Sequence, residues 1–370
     1  MTKKLLFVTG TRADFGKVEP LAIKARDAGY SVSFWVTGMH MLEYGLTKLE
    51  VERVAGVEIF EFKNQKEDDE LDKIHANTVI GFSQFIGHQK PDMVFIHGDR
   101  IEALSCSLVC ATNRLPSAHI EGGEISGTID EIFRHCNTKL AHCHFVSSEL
   151  ARNRILRMGE EDKRIYVIGS PELDFHAKES GITIEEVKSR YDINFDDYGI
   201  CTYHPVTSEA SEMGNQASAL FEALKYSGRK FVTILPNNDP GFKEIWRVIE
   251  ALPKNQFRVI PSMRFSYFSE LMKNSSAIVG NSSAGVREAP FLGLPSLDIG
   301  SRQRSRSAAD SVTNCQPNDK EKILHFLENS WGKSYPRDES FGAGRTAEKF
   351  LKILNSRAFW ENDIQKIFNE

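Results

Sequence analysis

In each half of this chain, short apolar runs alternate with stretches of helical spacing, and that alternation constrains the fold more than any other feature. The first half carries apolar runs at 4–9, 31–37, 57–62, 93–96, 117–120, 143–146 and 164–168, with helical spacing at 18–29, 71–89 and 101–113. The second half repeats the pattern, with runs at 199–203, 230–235, 257–260, 277–280 and 295–299. Helical stretches at 215–226, 242–252, 267–273 and 286–291 separate them. Runs this short read as strands, since helices usually need about ten residues or more. Strands alternating with helices predict an α/β fold with parallel, doubly wound sheets.

A chain of 370 residues exceeds one ordinary core and suits two domains. Gly169-Ser170-Pro171 breaks the first alternation, and a polar helical segment at 184–191 precedes the second. The boundary is therefore expected near residue 176, with domains at 1–175 and 176–355. The end of the chain reads as helical near 319–330 and again over 344–369.

The net charge of −5 leaves no basic surplus for nucleic acid. No stretch approaches the roughly 20 apolar residues that cross a bilayer. Polar Thr11-Arg12 cuts the first apolar run too soon for a signal peptide. The expectation is a cytoplasmic protein with neither membrane nor nucleic-acid partner. Cys106, Cys110, Cys136, Cys143, Cys201 and Cys315 form no Cys-x-x-Cys pair and read as reduced thiols. Zinc-ligand spacing, a Walker A loop and G-x-G-x-x-G are all missing, so an NAD or ATP site would have to be unconventional.

Ligands in open α/β sheets sit beyond the carboxyl ends of the strands. The run at 93–96 ends in His97-Gly98-Asp99-Arg100, and the run at 117–120 leads into Glu121-Gly122-Gly123-Glu124. Asp130, Glu131, Arg134 and His135 follow on the first turns of a helix. Carboxylates converging from Asp99, Glu121 and Asp130 repel one another, which favours one group donating a proton while another accepts. Gly10-Thr11-Arg12 follows the first strand, with Lys17 one turn into the next helix. Gly280-Asn281-Ser282-Ser283-Ala284-Gly285 follows a strand and opens a helix, where free N–H groups attract phosphate. Glu288 lies in position for a diol, and Arg302 to Arg306 offer cations. His204 ends the first strand of the second half, while His40, His97, His119 and His135 lie at strand ends or helix starts. Each feature also has a plainer meaning: a Ser-capped turn, a solvated loop, a surface glutamate, or histidines packed in a polar network.

Together the motifs resemble the UDP-N-acetylglucosamine 2-epimerases, and specifically their hydrolysing branch in sialic-acid biosynthesis. The matching pieces are G-T-R-A-D at 10–14, H-G-D-R at 97–100, H-I-E-G-G-E at 119–124 and T-I-D-E-I-F-R-H at 128–135. Y-H-P-V-T at 203–207 and G-N-S-S-A-G-V-R-E at 280–288 complete the set. Non-hydrolysing relatives typically carry G-T-R-P-E and H-V-E-A-G at the corresponding places.

The resemblance implies two Rossmann-like domains facing a cleft, a glycosyltransferase-B-like architecture in which a last helix at 356–370 packs back on the first domain. It implies conversion of UDP-N-acetylglucosamine and water to N-acetylmannosamine and UDP, without nicotinamide or metal in the chemistry. Asp99, Glu121, Asp130 and His204 match the catalytic positions. Arg12, Ser282, Ser283, Glu288 and Arg302 match positions that hold UDP. Lys17 and Arg100 are expected at the substrate too, as is His40, which with Met39 and 209–214 would line the pocket near C4 and C6 of the sugar. UDP-2,4-diacetamido-2,4,6-trideoxyglucose is the alternative substrate. A glycosyltransferase or a non-catalytic nucleotide-sugar sensor would be the alternatives of another class. The resemblance also implies a homodimer or higher homo-oligomer, paired through an apolar helix face at Ile74, Phe82, Phe85 and Ile86 unless that face covers its own sheet.

Overall fold

In the computed structural model, which describes residues 2–42, 47–66, 69–126, 129–236, 239–361 and 363–369, each apolar run picked out above forms a strand. The first sheet contains β1 (Lys4–Thr9), β2 (Ser31–Val36), β3 (Glu58–Glu61), β4 (Met93–His97), β5 (Ser117–Ile120), β6 (Cys143–Val146) and β7 (Ile165–Val167). Its order is β3-β2-β1-β4-β5-β6-β7 and every pair is parallel. Strand order reverses between β1 and β4, which is where such sheets open a crevice for ligands.

The central strands are buried on both faces, which is why they read as unbroken apolar runs instead of alternating ones. On one face, Phe7 stacks on Phe95 with ring centres 4.7 Å apart, and Phe350 packs edge-on against Phe95 at 5.2 Å and Phe145 at 5.1 Å. On the other, Trp35 meets Phe82 and Phe85 of helix Leu71–Gln89. Ile74, Phe82 and Ile86 are buried and Phe85 is packed against the same cluster. That helix face therefore covers its own sheet, and the pairing surface expected there is already used within the unit.

This first unit comprises Met1–Glu124, Asp130–Ala177 and Phe341–Glu370. The chain thus rejoins it at Phe341, upstream of residue 356. Helix Thr346–Leu354 supplies Phe350, and the Asp174 carboxylate caps its start by accepting from the N–H groups of Thr346 at 2.7 Å and Ala347 at 2.8 Å. The expected helix over 356–370 is not formed. A single turn, Arg357–Trp360, is followed by non-helical chain over 363–369; Asn362 and Glu370 lie outside the described residues. Tertiary bonds override the local propensity there. Lys366 Nζ donates to the carbonyls of Thr138, Lys139 and Ala141 and pairs with buried Glu160 at 2.5 Å.

The second unit includes Lys178–Ser340. Its sheet holds β8 (Gly199–Thr202), β9 (Phe231–Ile234), β10 (Phe257–Ile260), β11 (Ala277–Gly280), β12 (Ser296–Ile299) and β13 (Val312–Cys315), in the order β10-β9-β8-β11-β12-β13. All pairs are again parallel, and the order reverses between β8 and β11. β13 carries no apolar run. Val312-Thr313-Asn314-Cys315 lies at the sheet edge, half exposed, so nothing selects for apolar side chains along it. All six cysteines are unpaired, and no described helix is long and apolar enough to cross a membrane.

Candidate active site

In the first unit, the loops after β1, β4 and β5 all emerge at the carboxyl edge of the sheet, two of them from the strands where the order reverses. Thr11 caps helix Arg12–Asp27 by accepting from the Asp14 N–H at 3.2 Å, which makes Arg12 the first helical residue, half-buried. Arg100 lies 3.6 Å from the carboxylate of Glu102, a buried residue that packs under Gly10 and Gly38. His40 faces inward. It is 0% exposed, and its ring nitrogens bond the hydroxyls of Thr9 at 3.0 Å and Thr47 at 2.9 Å. Burial lowers its pKa to about 4, so it stays neutral. Its ring supports the first loop from beneath, where the sequence suggested a ligand contact.

Glu121 is held at both carboxylate oxygens. It is 5% exposed and its backbone is left-handed, with φ of 62°, a conformation that costs a non-glycine residue about 1 kcal/mol or more. Its Oε2 accepts from Lys17 Nζ at 2.7 Å and lies 3.3 Å from His97 Nε2, while Oε1 accepts from the Ser170 hydroxyl at 2.6 Å. Lys17 is shared with Glu172 at 3.4 Å. On its other side His97 Nδ1 lies 3.3 Å from the Asp14 carboxylate. Burial opposes a charge on His97, but Asp14 and Glu121 outweigh it and raise its pKa to about 9.

Asp99 is ion-paired with Arg134, whose side chain is 4% exposed and also donates to the Glu124 carbonyl at 3.1 Å. Asp130 opens helix Asp130–Leu140, half-buried and one turn before Arg134 on the same helix face. Asn137 Nδ2, from the next turn, donates to the Gly98 carbonyl at 3.1 Å, and His119 bonds that carbonyl at 2.8 Å. Burial lowers the His119 pKa to about 3, so it is a neutral prop of the turn holding Asp99. Thr128 of the T-I-D-E motif lies outside the described residues.

In the second unit, His204 follows β8 and Asn281 follows β11. The His204 N–H donates to Asn281 Oδ1 at 2.6 Å, and Asn281 Nδ2 returns a bond to the His204 carbonyl at 2.8 Å. Gly280 makes this approach possible: its φ is +137°, and a Cβ there would lie 1.9 Å from the Thr202 carbonyl oxygen. The Asn281 carbonyl accepts from Arg302 Nη1 at 3.0 Å and from Gln303 Nε2 at 3.1 Å. Ser282 caps the turn Ser283–Val286, and both serines are half-buried. Glu288 is buried at the start of Glu288–Leu292. The 209–214 segment is anchored through Glu209, which accepts from Ser301 and from Gln216 Nε2 at 2.8 Å. Asp298, on β12, is 2% exposed, and burial lifts its pKa to about 7 against the pull of Arg306 and Arg302.

The structure brings Lys17, Glu121 and His97 together, and Asp99 with Arg134. It joins His204, Asn281 and Arg302 in a separate cluster in the second unit. Asp14, Ser170, Glu172, Asn281 and Gln303 were not singled out in sequence. Asp14, Asn281, Ser170 and Gln303 lay inside quoted stretches, the available signal; Glu172 follows no local rule.

Two parallel sheets of this topology define an α/β protein with two Rossmann-like units. A crystal structure of the Neisseria meningitidis UDP-GlcNAc 2-epimerase bound to UDP-GlcNAc has the same fold, with a TM-score of 0.81 at 21% identity over 95% of this chain and 99% of that one. The chain belongs to the UDP-N-acetylglucosamine 2-epimerase family, whose profile matches residues 22–355. It is 40% identical over 373 residues to the UDP-N-acetylglucosamine 2-epimerase of Neisseria meningitidis serogroup B, covering 99% of this chain and 98% of the relative. It is 32% identical to the UDP-N,N'-diacetylbacillosamine 2-epimerase (hydrolyzing) of Legionella pneumophila, covering 96% of each.

Proposed function

We propose that this protein is a hydrolysing UDP-N-acetylglucosamine 2-epimerase that turns UDP-N-acetylglucosamine and water into N-acetylmannosamine and UDP, the first step of sialic-acid synthesis. The observation that carries the reading is the 40% identity over 99% of the chain to a UDP-N-acetylglucosamine 2-epimerase. G-T-R-A-D at 10–14 and H-I-E-G-G-E at 119–124 favour the hydrolysing branch, as does likeness to a relative named as hydrolyzing.

The hydrogen on C2 of the sugar is weakly acidic, so its removal needs a positioned base and a good leaving group. UDP leaves once cations and oriented N–H groups stabilise its growing charge. Arg12, Lys17, Arg100, Ser282, Ser283 and Arg302 are assigned that work, Glu288 the ribose hydroxyls, and His40 the support of the first loop. Anti elimination gives a 2-acetamidoglucal. Water then adds at C1, and a proton reaches the opposite face of C2. Two faces and two proton transfers require more than one acid–base group, the role given to Asp99, Glu121, Asp130 and His204.

Turnover in deuterium oxide tests this. The expected product is free N-acetylmannosamine with deuterium at C2. Release of UDP-N-acetylmannosamine would point to the non-hydrolysing reaction, and free N-acetylglucosamine with its C2 hydrogen would end the assignment. A second substrate, UDP-2,4-diacetamido-2,4,6-trideoxyglucose, is favoured by the likeness to the Legionella relative. Rates with both sugars decide between them.

A further inference from the structure

His97 lies between two carboxylates. Asp14 Oδ1 is 3.3 Å from its Nδ1 and Glu121 Oε2 is 3.3 Å from its Nε2. Ionised carboxylates only accept hydrogen bonds, and a neutral imidazole donates from one nitrogen alone. Both contacts are hydrogen bonds only when the ring carries both hydrogens. Charge balance agrees. Asp14 and Glu102, on the first turns of two helices, and Glu121 and Glu172 bring carboxylates to this corner, where Lys17 and Arg100 supply further cations. The Asp14 pKa is held down: burial opposes it, but His97 and Arg100 prevail. The His97 side chain is only 7% exposed, so these neighbours set its charge more than solvent does.

We propose that Asp14 and His97 are a positioning pair, in which Asp14 holds His97 as an imidazolium and His97 fixes the Glu121 carboxylate for its work on the sugar. The pair has a geometric task because His97 Nε2 lies 3.3 Å from Glu121 Oε2, so a donor held there fixes where that oxygen points. Lys17 and Ser170 bind the same carboxylate, Lys17 being shared with Glu172 and Ser170 donating to Oε1. His97 thus shares with Lys17 the direction of Oε2. This inference rests on Glu121 being one of the catalytic carboxylates proposed above.

The test is the pH profile of kcat/KM for the full-length protein, with UDP affinity by calorimetry and thermal unfolding as controls. The native enzyme is expected to lose kcat/KM on the alkaline side as His97 gives up its proton near pH 9. Asp14→Asn removes the carboxylate that favours the charge, so that limb moves down by about one pH unit or more. His97→Gln keeps one donor toward Glu121 without titrating. Its alkaline limb disappears, and kcat falls up to roughly 100-fold from misplacement of Glu121 while UDP affinity is little changed. An unmoved limb in Asp14→Asn, or a native profile in His97→Gln, overturns the pair. Nitrogen NMR of labelled histidine in the native protein is independent of folding defects. One ring still doubly protonated at pH 8 supports the pair, and all rings neutral at that pH overturn it. Glu121→Gln separates this inference from the reading beneath it. Near-normal turnover in that variant removes Glu121 from catalysis; an inactive Glu121→Gln beside an unmoved limb in Asp14→Asn removes only the positioning pair.

Discussion

The main chain of His204 and the side chain of Asn281 hold each other through two hydrogen bonds, of 2.6 and 2.8 Å, across 77 residues of sequence. The pair joins the strands on either side of the order reversal in the second sheet. It fixes the main chain from which the histidine ring projects. Asn281→Ala strands a donor and an acceptor beside a buried position, a loss of about 1–3 kcal/mol. Thermal unfolding is expected to show that loss, and turnover to fall with it if His204 acts on the substrate. Asn281→Asp keeps the acceptor but sets a buried carboxylate oxygen against the His204 carbonyl, so its loss should be at least as large.

Asp99→Asn, Glu121→Gln and Asp130→Asn are each expected to cut turnover by roughly 100-fold or more, a usual acid–base contribution. UDP affinity should hold in all of them. Asp99→Asn differs in one respect. It removes the charge partner of Arg134, which is nearly buried, so its midpoint of thermal unfolding should fall as well. Near-normal rates in two of the variants would remove the proposed set.

Arg302→Ala should weaken UDP by about 10- to 100-fold, the loss of one charge-assisted hydrogen bond of roughly 1.5–3 kcal/mol. Ser282→Ala combined with Ser283→Ala should act in the same direction. Calorimetry showing unchanged UDP affinity in both would move the nucleotide elsewhere. Arg302 also donates to the Asn281 carbonyl, so a decline in stability without a decline in affinity would assign it to the loop alone.

Acid should destabilise the first unit in two stages. His40, His119 and His142 are buried with pKa values lowered to about 4, 3 and 4, so the folded state resists protons that the unfolded chain accepts below about pH 6.5. Their contribution is complete above that pH and is lost as pH falls. Glu160 adds a lower stage. Burial opposes its charge, but His144, Lys139 and Lys366 overcome it and depress the pKa to about 2. Its contribution is present above the ordinary carboxylate range and disappears between about pH 4.5 and 2. Lys366→Met should lower stability by about 1–3 kcal/mol at neutral pH and flatten that lower stage in urea titrations. An unchanged profile would mean the tail adds nothing to the fold.

Much of the architecture was legible because parallel strands buried on both faces carry unbroken apolar runs. β13 escaped because an edge strand such as Val312–Cys315 has no such requirement. The end of the chain escaped for a different reason. Its composition suits a helix, but Lys366 finds Glu160 and three carbonyls that lie far away in sequence. The face at Ile74, Phe82 and Ile86 was visibly apolar, yet periodicity alone does not say whether such a face meets its own sheet or another copy.

Two parallel sheets and the polar residues that follow their strands are written in local spacing. Which of those residues bear charge depends instead on contacts between distant parts of the chain. His40, His97 and His119 all lie at or beside strand ends and look alike in sequence. His40 meets two threonine hydroxyls, and His119 meets a hydroxyl and a carbonyl. Burial keeps both neutral. His97 meets carboxylates on both sides and keeps its proton to about pH 9. A residue's proton affinity follows the groups within a few ångströms of it, and here Asp14 and Glu121 reach His97 from distant parts of the chain.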